Sequence, residues 1–287
     1  MSSEKAKLQI ENALFIFKES LKTMGVLFSL MAILTTFISV DEILDTINHN
    51  SISWKIAMLI SICVISIVGT WIYNNTRNSI TIYEKGRTSI TFEYGDMQKD
   101  YIKDNTGNEP YTVVIPINTT IDDVFNENRI RKNSNHGYWI SQMKSLGYSE
   151  DIIKDMVKDQ MTLDKNGLCK QGSVCYLNNL NGNVNYILAA TAVIDTKKKH
   201  SYCSRDQYYL GIHKIVDAIS RVCNQGEKIV MPLIGGGYAR MQKSEREIVP
   251  IMAEILVFNA DKLKHDVHVV IYNKRRSLIP IFSLSQG

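Results

Sequence analysis

VMPLIGGGYARMQKSERE, residues 230 to 247, is the stretch on which the reading of this chain turns. An apolar run enters three consecutive glycines, Gly235, Gly236 and Gly237, and soon afterwards Ser244 and Glu247 form the capping box that opens a helix. Without Cβ atoms, successive backbone N–H groups converge on one point, and the positive end of the following helix strengthens the field there. A plain strand-to-helix turn also fits the pattern but rarely requires three glycines. The stretch is neither a Walker loop, which needs Lys followed by Ser or Thr, nor a GxGxxG fingerprint. It predicts a buried strand ending at Ile234, a phosphate-binding turn over Gly235, Gly236 and Gly237, and a helix running to about Lys262.

Outward from this stretch lie other continuous apolar runs rich in β-branched residues: 113–117, 184–193 and 267–272. Runs of that kind suit strands buried on both faces of a sheet. Residues 79–83 and 89–94 alternate apolar and polar around Glu84, Lys85, Gly86 and Arg87, which predicts a β-hairpin. Ser149 caps an expected helix over 150–161, and Ser204 with Gln207 caps another to about Asn224, with Tyr209, Ile212, Val216, Ile219 and Cys223 on its apolar face. The expected fold class is α/β: a mixed central sheet flanked by helices.

The N-terminal quarter has a different character. Residues 24–40 and 56–73 carry no charged side chain, and at 1.5 Å per residue each spans about 26 Å of a hydrocarbon core of about 30 Å. Trp54, Trp71 and Tyr73 stand at the edges, as interfacial aromatics do. This predicts a transmembrane helical hairpin over 24–73. Lys5, Lys7, Lys18 and Lys22 precede it and Arg77, Lys85 and Arg87 follow, while the loop between the spans carries Asp41, Glu42 and Asp45 against Lys55. The positive-inside rule then places the chain in the cell membrane as a multi-pass protein, with the N-terminus and the C-terminal domain cytoplasmic. Residues 1–23, with Leu8, Ala13, Phe17 and Leu21 at helical spacing, form an expected amphipathic segment on the cytoplasmic side.

Composition excludes some functions. A net charge of +4 over 287 residues, with no long basic stretch interleaved with aromatics, argues against a nucleic-acid partner. Five cysteines without a CxxC pair and six scattered histidines argue for reduced thiols and against a metal site. Lys274, Arg275 and Arg276 follow the last apolar run and read as a solvated loop, with a phosphate or an anionic lipid as the alternative contact.

Two further strand ends carry polar residues suited to a ligand. VVIPINTTID delivers Asn118 and Thr119 where a buried run meets a loop, and Gly95, Asp96 and Met97 follow the second hairpin strand, where a carboxylate can accept from an exocyclic amine. Together and in this order, the three elements resemble a macro domain, the ADP-ribose-binding fold, over about residues 79–287. With the two-helix hairpin in front, the chain resembles the membrane effector family of type II Thoeris, a bacterial antiphage system. The departure is after Asn118, where TTIDDVFNENRIRKNSNHGYW replaces the family's usual glycine-rich loop.

The resemblance implies a site and a role. Asp96 and Met97 meet adenine, Asn118 the distal ribose, Gly235 to Tyr238 the diphosphate, and Asn273 the adenine side of the cleft. Asp122, Ser134, His136, Gly137 and Arg240 join the candidate set through their position near this mouth. It further implies a sensor rather than an enzyme: no cofactor, and a small-molecule ligand that is an ADP-ribose derivative, histidine-ADP-ribose, made by a partner TIR-domain enzyme. Binding drives homo-oligomer assembly and disruption of the lipid bilayer. The alternatives are a membrane-anchored ADP-ribosyl hydrolase and an anchored scaffold whose glycine turn is structural.

Overall fold

The computed structural model describes residues 14, 17–18, 20–29, 51–103, 109–120, 130–165, 167–195, 200–236, 243–276, 278–279, 281 and 284, with side chains left aside at 51–59, 74–75, 179, 193–195 and 200–202. The chain separates into two compact units, Met1–Asn78 and Ser79–Gly287.

In the first unit residues 20–29 are helical, and α1 spans Ser51–Thr76. Of the two expected spans, 56–73 lies within α1, whereas 30–40 of the first lies outside the described residues, as does most of the amphipathic segment. Among the described residues no helix is long and apolar enough to cross a membrane. The described side chains of α1 begin only at Ile60, and the run from there to Tyr73 is shorter than a span. The transmembrane hairpin is therefore an expectation that the described residues do not establish.

The second unit is built on one mixed sheet. Its strands are β1 (Ser79–Lys85), β2 (Thr88–Gly95), β3 (Tyr111–Asn118), β4 (Val174–Asn181), β5 (Val184–Asp195), β6 (His200–Tyr202), β7 (Lys228–Pro232) and β8 (Asp266–Tyr272). Their order is β1-β2-β8-β7-β3-β5-β4, with β6 beside β5. The inner five, β2-β8-β7-β3-β5, run parallel, and antiparallel β1, β4 and β6 close the flanks. The apolar runs read from sequence are these inner strands, and the expected hairpin is β1–β2 around Gly86.

Among the described residues, five α-helices accompany the sheet: α2 (Asn135–Ser145), α3 (Glu150–Gln160), α4 (Arg205–Val222), α5 (Glu245–Phe258) and α6 (Ala260–Leu263). Ser149 caps α3 by accepting from Ile152 N, and Ser204 with Gln207 forms the capping box of α4. The expected helix to Lys262 is instead α5 followed by the short α6, separated at Asn259. That side chain is buried and bonds the Ile255 carbonyl and the His213 ring. On α4 the buried aromatic is Tyr208 rather than Tyr209. One core cluster packs Ile102, Trp139, Ile140, Met143, Ile153 and Val157 against Ile115, Ile117, Tyr186 and Leu188.

Candidate functional site

Because the inner strands are parallel, their carboxyl ends share one edge of the sheet, and open α/β sheets bind ligands in the crevice outside that edge. The strand order arranges the sequence candidates along it: Asp96 after β2, Asn273 after β8, the glycine turn after β7, and Asn118 and Thr119 at the end of β3. The crevice has a physical origin. Strands β3 and β7 pair only from Tyr111–Lys228 to Val113–Val230; beyond that, β3 continues with β5 and β7 with β8. The two strands part toward the carboxyl edge, between the glycine turn on one side and Asn118 on the other.

The glycine turn is held from beneath. The Tyr208 hydroxyl donates to the Ile234 carbonyl at 3.0 Å. Gly235 adopts φ +88°, and a β-carbon there would stand 2.9 Å from the Tyr208 ring. Gly236 has no such φ; a β-carbon on it would stand 2.8 Å from Cγ of Glu245, the first residue of α5. The left-handed backbone requirement thus falls on Gly235, and at Gly236 the requirement is space. Glu245 is partly buried, and its carboxylate lies 3.5 Å from Arg275 Nε, which comes from the turn after β8. Burial pushes the Glu245 carboxyl above its ordinary range, and Arg275 acts in the opposite direction. Gly237, Tyr238 and Arg240 lie outside the described residues.

At the β3 end, the pairing with β5 shifts register between Ile117 and Asn118, which face Ala190 and Ala192. Thr119 is buried and fixed by its backbone: its N–H donates to Ala192 O at 3.0 Å and its carbonyl accepts from Cys169 N at 2.7 Å. Asp122 lies outside the described residues.

At the β2 end, Asp96 Oδ1 accepts from Gln98 N, and the Asp96 carbonyl accepts from Lys99 N and Asp100 N. Met97 is buried in the core cluster, so its side chain faces inward rather than toward a ligand. The start of α2 is tied to this corner: Gln98 Nε2 donates to Asn133 O at 3.0 Å, and Asn135 Nδ2 reaches Met97 Sδ at 3.4 Å.

Ser134, His136 and Gly137 therefore stand beside Asp96 and Met97, but their atoms serve the helix. Ser134 Oγ accepts from Gly137 N and donates to Arg131 O. His136 is buried, its ring 6.2 Å from that of Trp139. Gly137 leaves room for the Arg131 carbonyl, 2.3 Å from where a β-carbon would lie. Asn273 is exposed and opens the short turn Asn273–Arg275, where its carbonyl accepts from Arg276 N. Tyr208 and Glu245 escaped the sequence reading, although the capping box places Glu245 in the first turn after the glycines. Among the described residues no cluster of three or more His, Cys, Asp or Glu could hold a metal ion.

Comparison with known proteins bears on this geometry. A macro domain point mutant from Oceanobacillus iheyensis is 13% identical over 73% of this chain and 95% of its own, with a TM-score of 0.47. The macro domain of that organism solved with ADP is 12% identical over 72% and 93%, with a TM-score of 0.46. An alphavirus structure described as P23pro-zbd is 13% identical over 76% of this chain and 26% of its own, with a TM-score of 0.43. No curated protein matches the chain. The family model described as Thoeris protein ThsA, Macro domain, matches residues 90–272, more than half of the chain, from within β2 to the end of β8. The chain belongs to that family, the macro-domain proteins of the Thoeris ThsA type.

Proposed function

We propose that the second unit binds an ADP-ribose-derived nucleotide along the carboxyl edge of the sheet, and that the protein is a membrane-anchored Thoeris effector rather than an enzyme. The observation that carries the reading is the parting of β3 from β7, which opens a crevice between Gly235–Gly236 and Asn118 with Asp96 farther along the edge. The diphosphate lies on the glycine turn, the distal ribose near Asn118 and the adenine toward Asp96 and Asn273. The signal is histidine-ADP-ribose from a TIR-domain enzyme, and binding assembles the protein into a homo-oligomer that disrupts the bilayer.

The anchor is supported by α1 itself, where Ile60, Val64, Ile65, Val68, Trp71 and Ile72 are all exposed. An exposed apolar helix face is one that a bilayer or an assembly covers.

The test is calorimetry of the full chain in detergent with ADP-ribose, followed by chromatography of the ligand. Binding is expected, with the ligand returned unchanged. Gly236→Val forces a branched side chain into the Glu245 contact at the turn. Loss of two charge-assisted bonds, at about 1.5–3 kcal/mol each, weakens binding by roughly a hundredfold or more. Unaltered affinity in a folded Gly236→Val protein removes the turn from the site, and steady conversion of the ligand replaces the sensor with a hydrolase.

A further inference from the structure

A turn that receives a diphosphate should be surrounded by donors, yet here a carboxylate rests against it. Glu245 Cγ and Oε1 stand 2.8 and 3.4 Å from where a β-carbon on Gly236 would lie. The side chain is drawn inward at the first turn of α5, where the helix end attracts negative charge. Arg275 faces it from the segment after β8, which is itself pinned: the Tyr94 hydroxyl donates to Ile279 O and accepts from Ile281 N, and Arg276 lies 5.0 Å over the Tyr94 ring. Two described neighbours are engaged elsewhere. Lys243 bonds Glu247 at 3.0 Å, and Tyr208, whose proton burial holds far above the ordinary range, donates to Ile234 O.

We propose that Glu245 and Arg275 form a counter-ion latch on the glycine turn, in which Arg275 exchanges the Glu245 carboxylate for the ligand's diphosphate on binding. This rests on the nucleotide reading above and adds two residues to it. Arg275 becomes a phosphate-binding residue supplied by a segment remote from the glycine motif. Glu245 becomes a selectivity residue that disfavours anions unable to engage Arg275.

The physical basis is like-charge opposition. A carboxylate and a diphosphate side by side repel strongly, so binding requires Glu245 to turn outward or take up a proton. Burial already favours the protonated form. The neutral form grows as pH falls, so affinity for a diphosphate rises toward acid.

The experiment measures ADP-ribose affinity by calorimetry for the full chain, Glu245→Gln, Arg275→Gln and the double variant, between about pH 5 and 8, with thermal melts as a folding check. Glu245→Gln keeps the shape of the side chain and its contact with Gly236. It is expected to tighten binding about tenfold at the alkaline end and to flatten the pH dependence. Arg275→Gln is expected to weaken binding about tenfold, and more in the Glu245→Gln background, where Arg275 has no competing partner. If the native chain binds ADP-ribose but Glu245→Gln matches it in affinity and pH profile, or Arg275→Gln binds as the native chain does, the latch is wrong and the nucleotide site stands. If neither the native chain nor Glu245→Gln binds ADP-ribose, the nucleotide reading fails and the latch with it.

Discussion

At Gly235 two constraints coincide: φ is +88°, and the Tyr208 ring leaves no room for a β-carbon. Gly235→Ala is expected to lose about 1–2 kcal/mol to the left-handed backbone and about 1–3 kcal/mol to overpacking. A denaturation midpoint equal to that of the native chain would mean that the turn has another shape. Three adjacent glycines announce a tight turn in sequence, but only the backbone angles separate the one that needs φ above zero from the one that needs space. The same limit explains Tyr208. The apolar face read from sequence holds at Ile212, Val216, Ile219 and Cys223, but its first buried aromatic is Tyr208 rather than Tyr209, about 100° around the helix, and Tyr208 is the residue that supports the turn. Ser134 and His136 were legible as polar residues near the mouth. Their engagement in capping and packing depends on Arg131 and Trp139, partners that sequence proximity does not reveal as such.

The elements that sequence recovered are those whose pattern carries their burial. Inner strands β3, β5, β7 and β8 read as continuous apolar runs, β2 as an alternating hairpin strand, and α3, α4 and α5 begin at capping serines. Strand β4, VCYLNNLN, escaped the sequence reading because its three asparagines interrupt the apolar pattern. Asn181 is nonetheless buried, donating to the Tyr186 hydroxyl at 3.1 Å and toward Ile102 O at 3.4 Å. Helix α2 opens with Asn135, His136 and Gly137, a poor start by propensity. It forms because Ser134 caps it and Trp139, Ile140 and Met143 fill the core. For α1 the prediction concerns location. Expressed in bacterial cells, the chain is expected in the membrane fraction after alkaline carbonate washing. Asn50→Cys is expected to react with a membrane-impermeant thiol reagent on intact cells while the cysteines of the second unit do not. Recovery in the carbonate-soluble fraction, or labelling of the second unit from outside, would overturn the anchor or its orientation.

Across the whole second unit, one charged cluster links three inner strands. His268 on β8 lies 3.0 Å from both Glu93 on β2 and Asp266, with Lys228 on β7 close enough to act on all three. Burial opposes charge on His268, but the bond to Glu93 and the neighbouring carboxylates outweigh it and raise its pKa above 6.5. Burial likewise opposes charge on Glu93 and Asp266, yet bonds to His268, Tyr101 and Ser89 hold both below their ordinary values. The raised histidine contributes stability that is complete below pH 6.5 and is lost as pH rises through its folded value. The lowered carboxylates contribute stability present above their ordinary 4.5 and 3.8 and lost as pH falls through their folded values. Melting temperature is therefore expected to decline from mildly acidic toward alkaline pH, within about 1 kcal/mol, the scale of partly exposed ion pairs. His268→Ala is expected to flatten that decline, and an unchanged slope would remove the cluster as its cause.

At this scale the inner strands were legible but not their order. No local pattern says that β8 inserts between β2 and β7, because that choice belongs to crossovers and to pairing partners far apart in the chain. Ser89 and Asp266, whose side chains bond across the β2–β8 seam, are 177 residues apart. At a synthesis rate of about 5–20 residues per second, the β1–β2 hairpin leaves the ribosome roughly 9–35 s before the strand that completes it. During that interval it carries an open parallel edge, a surface that invites mispairing. The nascent chain must cross that exposed period before the sheet's carboxyl edge is complete, so chaperone access during translation is expected to influence how much folded protein a cell obtains.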